Sequence, residues 1–222
     1  MKTGRLLAAL SIVAALTAAL ANQSCSHTPY ERTDNCVIIR LNGKSDHPGQ
    51  AVRLIVINER IIRVSAVPSG EFPETASLMA VAQPDENVDF TIEKGDGHVT
   101  VNTSSLSAQV SLKTGEVSFT DNEGTLFLSE QEGGGRSFMP VMATDEKGYT
   151  VRQQFESYPD EAIYGLGANQ TSFMNLKGKD ADLFQYNTLA VVPFILSNHN
   201  YGILWDNNSR TRYGDIREWN EL

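Results

Sequence analysis

Between residues 88 and 128 apolar and polar side chains alternate with a period of two, and turns interrupt the alternation about every ten residues. The first repeat sets Val88, Phe90 and Ile92 against Asp89, Thr91 and Glu93. Glycine-containing turns follow at 94–97, 113–116 and 121–124, and the first has the Asp-Gly pair of a β-hairpin. Beyond the N-terminus no long window has helical apolar spacing. The pattern therefore predicts an all-β, antiparallel fold, either a sandwich or a barrel.

Six further segments rich in β-branched and aromatic residues extend this pattern. They are Val37–Leu41, Ala51–Ile57, Ile61–Val67, Val151–Phe155, Val191–Ser197 and Tyr201–Trp205. Asn198–Asn200 is expected to form a hairpin tip between the last two, because asparagine tolerates a left-handed backbone. Pro193 has no amide hydrogen to donate, so its strand is expected to start at a sheet edge or at a bulge.

The first 21 residues have the composition of a secretory signal peptide. Lys2 and Arg5 precede an apolar run from Leu6 to Leu20, and Ala19-Leu20-Ala21 supplies the small residues of a cleavage site. This run is shorter than the roughly 20 residues of a membrane-spanning helix and lacks a stop-transfer flank. We therefore expect a signal-peptide helix at 1–21, a polar tether at 22–35 and export of the mature chain.

Cys25 leaves three alternatives open for the mature N-terminus. The Ser24-Cys25 step resembles a bacterial lipoprotein site, which would extend the signal to residue 24 and attach a lipid to Cys25. Cleavage after Ala21 would leave Cys25 as an ordinary thiol. In an oxidising compartment Cys25 could also pair with Cys36. The expected location is the periplasm, or the outer membrane through a lipid anchor, of a Gram-negative-type bacterium.

The charge balance argues against nucleic acid as a partner. The formal net charge is −9 at pH 7, and loss of Lys2 and Arg5 with the signal makes the mature chain still more acidic. A surface of that sign repels polyanions. It gives no positive indication of the ligand.

Tyr164-Gly165-Leu166-Gly167 invites comparison with phosphate-binding loops. A dinucleotide fingerprint requires a third glycine, where this chain has Gln170, and a helix after it. Gly178-Lys179 is not followed by the Ser or Thr of a P-loop. Gly165 and Gly167 are therefore interpreted as backbone geometry between two strands, and Lys177–Lys179 as a turn.

The sequence contains no recognisable catalytic or metal-binding constellation. Its four histidines, His27, His47, His98 and His199, lack partners at the spacing of a metal site or a triad. Most acidic residues fall in turns, where turn chemistry accounts for them. We therefore predict no cofactor, no metal and no catalytic residue in this chain.

Aromatic residues crowd the C-terminal part of the chain. They are Phe173, Phe184, Tyr186, Phe194, Tyr201, Trp205, Tyr213 and Trp219. Aromatic faces stack on the CH-rich faces of sugars, and neighbouring amides and carboxylates hydrogen-bond hydroxyl groups. The alternative role is to fill the core, which we expect of at least half of them.

The order of motifs from residue 163 to 209 resembles glycoside hydrolase family 31, especially its bacterial α-xylosidase and α-glucosidase-like branch. The matching pieces are Tyr164–Gly167, Leu176–Lys179, Gln185–Thr188, Val192–Phe194 and Tyr201–Asn207. Their shared order is more specific than any single motif.

The resemblance implies a galactose-mutarotase-like β-sandwich, spanning 36–210, that packs on a (β/α)₈ barrel. In the family a loop of the sandwich reaches over the barrel mouth, and by position that loop is Gln185, Tyr186, Asn187 and Thr188, as binding residues for an α-linked oligosaccharide. Retaining hydrolysis uses two carboxylates about 5 Å apart. In this family both lie on the barrel, so none is assigned here.

The chain departs from the family after the sandwich. No βα repeats follow, the family's Asp-Met-Asn-Glu nucleophile motif is absent, and 211–222 resembles the start of a following module or a truncated end. The expected function is that of the N-terminal accessory domain of a retaining α-glycosidase, inactive alone and with an exposed apolar patch. The alternative is a free-standing carbohydrate-binding or interaction module. An aldose epimerase ranks third, because the histidines do not suit its sheet groove.

Overall fold

The computed structural model of the chain describes residues 28–41, 51–68, 71–74, 76–81, 83–85, 88–143, 146–168, 170 and 172–214. Every regular element in these ranges is a β-strand, and every strand pairing is antiparallel, which confirms the all-β prediction. The expected signal helix, Cys25, His27 and His47 lie outside the described residues.

The N-terminal half is built from two antiparallel sheets. The first has the order β1-β2-β3-β4 and the second β5-β6-β7-β8-β9. The strands of the first sheet are β1 (Tyr30–Thr33), β2 (Cys36–Arg40), β3 (Ala51–Asn58) and β4 (Ile61–Val67). Those of the second are β5 (Thr91–Lys94), β6 (His98–Asn102), β7 (Leu106–Ser111), β8 (Val117–Asp121) and β9 (Leu126–Ser129).

The two sheets face each other across one hydrophobic core, so this half is a sandwich. The core takes alternate residues from both sheets, as a period of two requires. Its fully buried members include Val37, Ile39, Val52, Leu54 and Val56 of the first sheet and Val99, Val101, Ala108 and Val110 of the second. The predicted turns at 94–97, 113–116 and 121–124 lie between β5 and β6, between β7 and β8, and between β8 and β9.

Two boundaries differ from the sequence-based expectation. Tyr30–Thr33, within the segment expected to be a polar tether, forms β1 and pairs with β2, and Arg40 N also donates to Pro29 O at 2.9 Å. Polar composition misled there, because β1 is an edge strand with mostly exposed side chains. The alternation at Val88 begins before the ladder: β5 starts at Thr91, although Phe90 is buried.

The C-terminal half contains a long hairpin and two small sheets. The hairpin pairs β10 (Arg136–Ala143) with β11 (Glu146–Gln153). One sheet has the order β12-β14-β15 and the other pairs β13 with β16. Their strands are β12 (Ile163–Ala168), β13 (Asp180–Leu183), β14 (Ala190–Ser197), β15 (Gly202–Leu204) and β16 (Thr211–Gly214). A second core of Ile163, Leu166, Leu176 and Leu183 lies between these small sheets.

The two halves are joined by contacts between residues that are far apart in the sequence. Asp206 accepts hydrogen bonds from Arg63 Nη2 at 2.6 Å and from Ser77 Oγ at 2.7 Å. The Phe127 ring lies 6.2 Å from the ring of Tyr201. The loop after β15 is thereby held against β4, in the first sheet of the sandwich.

The Asn198–Asn200 tip forms as predicted, with Asn200 at a φ of 63°. Pro193 lies in the central strand of its sheet, and the pairing of β14 with β12 is irregular at that point, between Val191 and Ile195. Of the two alternatives for Pro193, the bulge is therefore confirmed. Its carbonyl still accepts a hydrogen bond from Trp205 N at 2.8 Å.

Candidate functional site

The loop between β13 and β14 contains the four residues expected to bind sugar. Leu189 N donates to Tyr186 O at 3.1 Å, which closes a tight turn with Asn187 and Thr188 at its tip. The side chains of Tyr186, Asn187 and Thr188 are exposed. The loop therefore presents one phenol, one amide and one hydroxyl to a ligand, and their role in sugar binding stays a prediction.

Gln185 has a different place from its three neighbours. Its Oε1 accepts a hydrogen bond from Val191 N at 2.8 Å. That bond ties the loop to the first residues of β14. In this structure Gln185 fixes the loop's conformation.

Phe184 is a residue that the motif-based prediction left out. Its ring lies 6.4 Å from that of Tyr186 at an interplanar angle of 31°, and the two side chains are 55% and 54% exposed. The guanidinium of Arg210 lies over the Phe184 ring at 5.9 Å. The signal available in the sequence was the spacing of two aromatic residues two positions apart, which places them on one side of an extended chain.

Arg210, next to Phe184, also forms an ion pair with Asp182. Arg210 Nε donates to Asp182 Oδ1 at 3.0 Å, and its Nη2 contacts the other carboxylate oxygen. The hydrogen bonds from Arg210 hold the pKa of Asp182 below its ordinary value. Because β13 pairs with β16, Asp182 is also in register with Arg212.

The Gly165-Leu166-Gly167 stretch of β12 lies where the pairing of β12 with β14 shifts register. All three residues have positive φ, with Gly165 at 123°, Leu166 at 62° and Gly167 at 88°. A Cβ on Gly165 would lie 2.3 Å from Phe194 O, and one on Gly167 would lie 2.0 Å from Ala190 O. The interpretation as close backbone approach between two strands is confirmed.

Lys177–Lys179 forms the predicted turn, with Gly178 at a φ of 67° and Lys179 N donating to Leu176 O at 3.0 Å. Lys177 Nζ donates to Tyr158 O at 2.7 Å and also contacts Ser157 Oγ. Lys177 therefore joins this turn to the segment that precedes β12.

A buried carboxylate links the start of β12 to the β14–β15 hairpin. Glu161 is 4% exposed, and its Oε1 accepts hydrogen bonds from Ser197 Oγ at 2.6 Å and Tyr201 OH at 2.5 Å. Burial opposes ionisation, but the bonds from Ser197 and Tyr201 outweigh it and hold the pKa of Glu161 below its ordinary value. Burial, together with the Glu161 carboxylate, raises the pKa of Tyr201. Sequence reasoning missed this group because its members are far apart in the chain.

We expect Glu161→Gln to lower the free energy of unfolding by about 2 kcal/mol at pH 7, because a charge-assisted hydrogen-bond network is lost. A carboxylate with a lowered folded-state pKa stabilises the fold above its unfolded pKa, and that stabilisation is lost as pH falls through the folded value. The difference between the two proteins should therefore shrink below about pH 4.5. Urea unfolding across this range measures it.

Glu93→Gln, on the exposed side of β5, is the matched control and should leave the stability at pH 7 unchanged. At about pH 3 most carboxylates of an unfolded chain are protonated. If the difference in free energy of unfolding between Glu161→Gln and the parent chain stays constant down to that pH, the role assigned to Glu161 is wrong.

The β12-β14-β15 sheet is apolar on both faces. One face packs on the second core through Ile163, Val191 and Ile195. The other carries exposed apolar side chains, which we call the outer face: Tyr164, Val192, Phe194, Leu196 and Leu204, between 39% and 50% exposed. Strand pairing places Tyr164 opposite Leu196 and Phe194 opposite Leu204, so these residues are contiguous. This matches the expectation of an exposed apolar patch.

Fewer of the C-terminal aromatics are buried than expected. Among the described ones only Tyr201 is buried, and Phe173 and Tyr213 pack at the edge of the second core. Phe184 and Tyr186 are exposed in the loop before β14, Phe194 is exposed on the outer face, and Trp205, which follows β15, is half-buried. The expectation that at least half of these aromatic residues fill the core is therefore met only in part.

Within the described residues no group of three or more His, Cys, Asp or Glu side chains could hold a metal ion. His199 Nε2 lies 3.6 Å from Asp160 Oδ1, with its ring stacked on Tyr158, and His98 Nδ1 is 3.1 Å from Asp96 O. The Cys36 thiol is free and half-buried. In the same part of the chain no helix is long and apolar enough to cross a membrane.

Comparisons with known proteins agree with this architecture. Residues 51–213 match the glycosyl hydrolase 31 N-terminal galactose mutarotase-like domain. The chain is 29% identical over 181 residues to an uncharacterised family 31 glucosidase of Pseudescherichia vulneris, covering 71% of this chain and 33% of that protein. It is 34% identical over 124 residues to an α-xylosidase of Saccharolobus solfataricus, covering 52% of this chain and 16% of that one.

Solved structures give the same result. The crystal structure of a family 31 α-xylosidase from Xanthomonas citri superposes with a TM-score of 0.76 at 40% identity, over 85% of this chain and 20% of that chain. The chain thus spans a third or less of the length of these relatives. It belongs to the glycosyl hydrolase 31 family, as its N-terminal galactose mutarotase-like domain.

Proposed function

We propose that this chain is the N-terminal accessory domain of a retaining α-glycosidase of the α-xylosidase or α-glucosidase type, which hydrolyses O-glycosyl bonds of α-linked oligosaccharides. The family membership and the α-xylosidases among its relatives support this. In this proposal the chain has no turnover alone, and Gln185–Thr188 forms part of the wall of the sugar pocket.

The outer face is the observation that carries the proposal. A sheet that is apolar on both faces is characteristic of a sheet covered on both sides. The second core covers the inner face, whereas Val192, Phe194 and Leu196 of the outer face have no cover among the residues that the structure describes. The occupant we assign is the catalytic barrel, because the relatives have three or more times the length of the match.

The position of the loop fits that arrangement. Gln185–Thr188 leads directly into β14, and Val192 is the first large side chain of the outer face after it. A barrel seated on the outer face would therefore have this loop at its rim. The loop's exposed amide and hydroxyl groups suit hydrogen bonds to sugar hydroxyls.

A chimera tests the proposal. In it this chain replaces the matching N-terminal portion of the Xanthomonas citri α-xylosidase. We expect it to hydrolyse p-nitrophenyl α-xyloside or α-glucoside, with Val192→Glu plus Leu196→Glu abolishing activity and assembly, because charges cannot be buried against a barrel. Tyr149→Glu, at an exposed position on the β10–β11 hairpin, is the matched control and should stay active.

Two results would contradict the proposal. One is a folded chimera that is inactive on both substrates. The other is full activity of the Val192→Glu, Leu196→Glu chimera. Turnover of either substrate by the 222-residue chain itself would disprove the accessory role.

The proposal includes export of the mature chain, with a lipid anchor at Cys25 as one alternative. Mass spectrometry of the mature N-terminus distinguishes the alternatives: an acylated Cys25 supports the lipoprotein, and an unmodified start at Asn22 supports ordinary cleavage.

A further inference from the structure

We propose that the β10–β11 hairpin is an interface between two copies of this chain, in which β11 of one copy pairs with β11 of the other across a two-fold axis. The inference goes beyond the proposed function and does not depend on it. The occupant assigned to the hairpin is a second copy because the free edge of β11 complements itself in one register.

The hairpin stands apart from the sandwich and from the small sheets. In the part of the chain that the structure describes, β10 and β11 pair only with each other, and neither has extensive contacts with another strand. Its base is fixed, since Gln154 N donates to Gly135 O at 2.8 Å and Arg136 binds the carboxylate of Glu130. The hairpin is therefore held in place, with two strand edges that another chain could extend.

Apolar side chains of the hairpin lack cover. Met139, Val141, Met142, Tyr149 and Val151 are between 42% and 65% exposed. Phe138 is directly opposite Val151, and its ring lies edge-on to that of Tyr149 at 6.2 Å, so these three residues share one face of the hairpin. A two-stranded hairpin is at best marginally stable in water, whereas three or more strands with a hydrophobic face are stable. Additional strands would therefore stabilise this one.

The two edges of the hairpin differ. β10 has Pro140 in the middle of the strand, and proline, which has no amide hydrogen, is a common protection of a sheet edge. β11 contains no proline from Glu146 to Gln153. β11 is therefore the edge better suited to pair with another strand.

The edge of β11 complements itself when Thr150 of one copy lies opposite Thr150 of the other. Tyr149 then lies opposite Val151, and Lys147 opposite Gln153, on both sides of the axis. Thr–Thr hydrogen bonds and aromatic–β-branched pairs are among the cross-strand pairs that stabilise antiparallel sheets. The faces that contain Tyr149 then combine into one face of a four-stranded sheet with the order β10-β11-β11-β10.

Other registers of the same pairing are less favourable. A slip by one residue puts Lys147 opposite Arg152 and joins the Tyr149 face of one hairpin to the opposite face of the other. A slip by two residues in that direction puts Lys147 opposite Val151, and slips in the other direction shorten the ladder. Two-fold dimers of identical chains are also the commonest oligomers. A second copy therefore fits this edge.

Sedimentation velocity over a concentration series tests the interface. We expect the 222-residue chain to dimerise reversibly with a Kd of about 1–100 μM, because a strand edge is a small interface. The same Kd is expected in a Val192→Glu, Leu196→Glu background, which prevents association through the outer face. Thr150→Lys should raise the Kd about tenfold or more, because it puts two like charges opposite each other on the axis.

Met139→Lys is the matched control. Met139 is exposed and lies opposite Thr150 within the hairpin, on the same face but on β10, away from the axis. This variant should leave the Kd unchanged. Thr150→Glu alone should dimerise as poorly as Thr150→Lys, whereas an equimolar mixture of the two should dimerise again, because opposite charges then meet on the axis. Such a rescue excludes misfolding as the cause of the loss.

Several results would overturn the interface. A parent chain that stays monomeric up to about 200 μM is one of them. Equal weakening by Met139→Lys and Thr150→Lys is another, and so is a mixture of the Thr150 variants that stays monomeric. Loss of the dimer in the Val192→Glu, Leu196→Glu background would assign the association to the outer face and refute the hairpin interface.

The two proposals fail separately in the chimera. Tyr149→Glu should weaken dimerisation there and leave turnover unchanged, because hairpin pairing and docking on the barrel use different surfaces. An inactive chimera that still dimerises refutes the accessory function alone. An active chimera that stays monomeric over the same concentrations refutes the hairpin interface alone.

Discussion

Replacing Gly167 by alanine is expected to lower the free energy of unfolding by about 3 kcal/mol or more. Two costs add. The residue has a φ of 88°, which strains any L side chain, and the new Cβ would meet Ala190 O at 2.0 Å and Val192 N at 2.8 Å. Both neighbours are backbone atoms of β14 and cannot move without breaking the β12–β14 ladder. The shift in urea midpoint at unchanged slope, in dilute protein, measures the loss.

Gly124→Ala separates the two costs. Gly124 has a φ of 81°, close to that of Gly167, but a Cβ there has no atom within 4 Å. This control should lose only about 1 kcal/mol, the conformational part. If both variants lose the same amount of stability, the close approach of β12 to β14 at Gly167 contributes nothing and this explanation is wrong.

The Gly167→Ala substitution should also change the conformation of the candidate site. Gly167 pairs with Val191 and Ala168 with Ala190, at the start of β14. Gln185 anchors the loop to the same Val191. A displaced β14 would therefore carry the loop with it, and weaker sugar binding is expected alongside the loss of stability.

Glu130→Ala is expected to be the most damaging charge removal in the described part of the chain, at about 3–5 kcal/mol. Glu130 is 5% exposed, and its two carboxylate oxygens lie 2.5 and 2.6 Å from Arg136 Nη2. Its Oε2 also accepts from Val117 N at 3.1 Å. Burial raises the pKa of Glu130, and Arg136 opposes that shift. Alanine would leave a nearly buried guanidinium without its carboxylate and an amide without its acceptor.

Glu31→Ala is the control for this prediction. Glu31 pairs with Arg40 at 3.1 Å, but both side chains are more than half exposed, so the loss should stay below about 1 kcal/mol. The double variant Glu130→Met, Arg136→Met should recover a large part of the stability, because an apolar pair carries no unpaired charge. If the double variant is no better than Glu130→Ala, desolvation of Arg136 is not the cause of the loss. The readout is again the urea midpoint.

The sequence predicted the strands well where each strand is half buried. From Val99 to Val117 the alternation identifies the buried residues, because one face of each strand lies on the core and the other in solvent. Prediction was poorer at the edges. β1 has no apolar face to reveal it, and the strand expected at Val151–Phe155 forms instead as β11, Glu146–Gln153, with Phe155 in an isolated bridge to Glu130.

The candidate site was predicted in part. Motif order placed the loop at Gln185–Thr188, and the structure has a loop there between β13 and β14. Motif order could not separate Gln185, which anchors the loop, from Tyr186, which is exposed, because both are polar residues in one short segment. It also missed Phe184, whose relation to Arg210 spans 26 residues of chain.

The sequence by itself determined the fold class, the strand alternation, the close backbone approach at Gly165 and Gly167, and the family. Each of these depends on local geometry or on the order of motifs along the chain. Tertiary structure alone decided which face of β14 is covered, because alternate residues of this strand are apolar on both sides. It also decided that Glu161 contacts Ser197 and Tyr201, 36 and 40 residues away, and that the rings of Phe184 and Tyr186 are exposed in the loop before β14. Burial and long-range contact are properties of the packed chain, and a periodic pattern cannot record them.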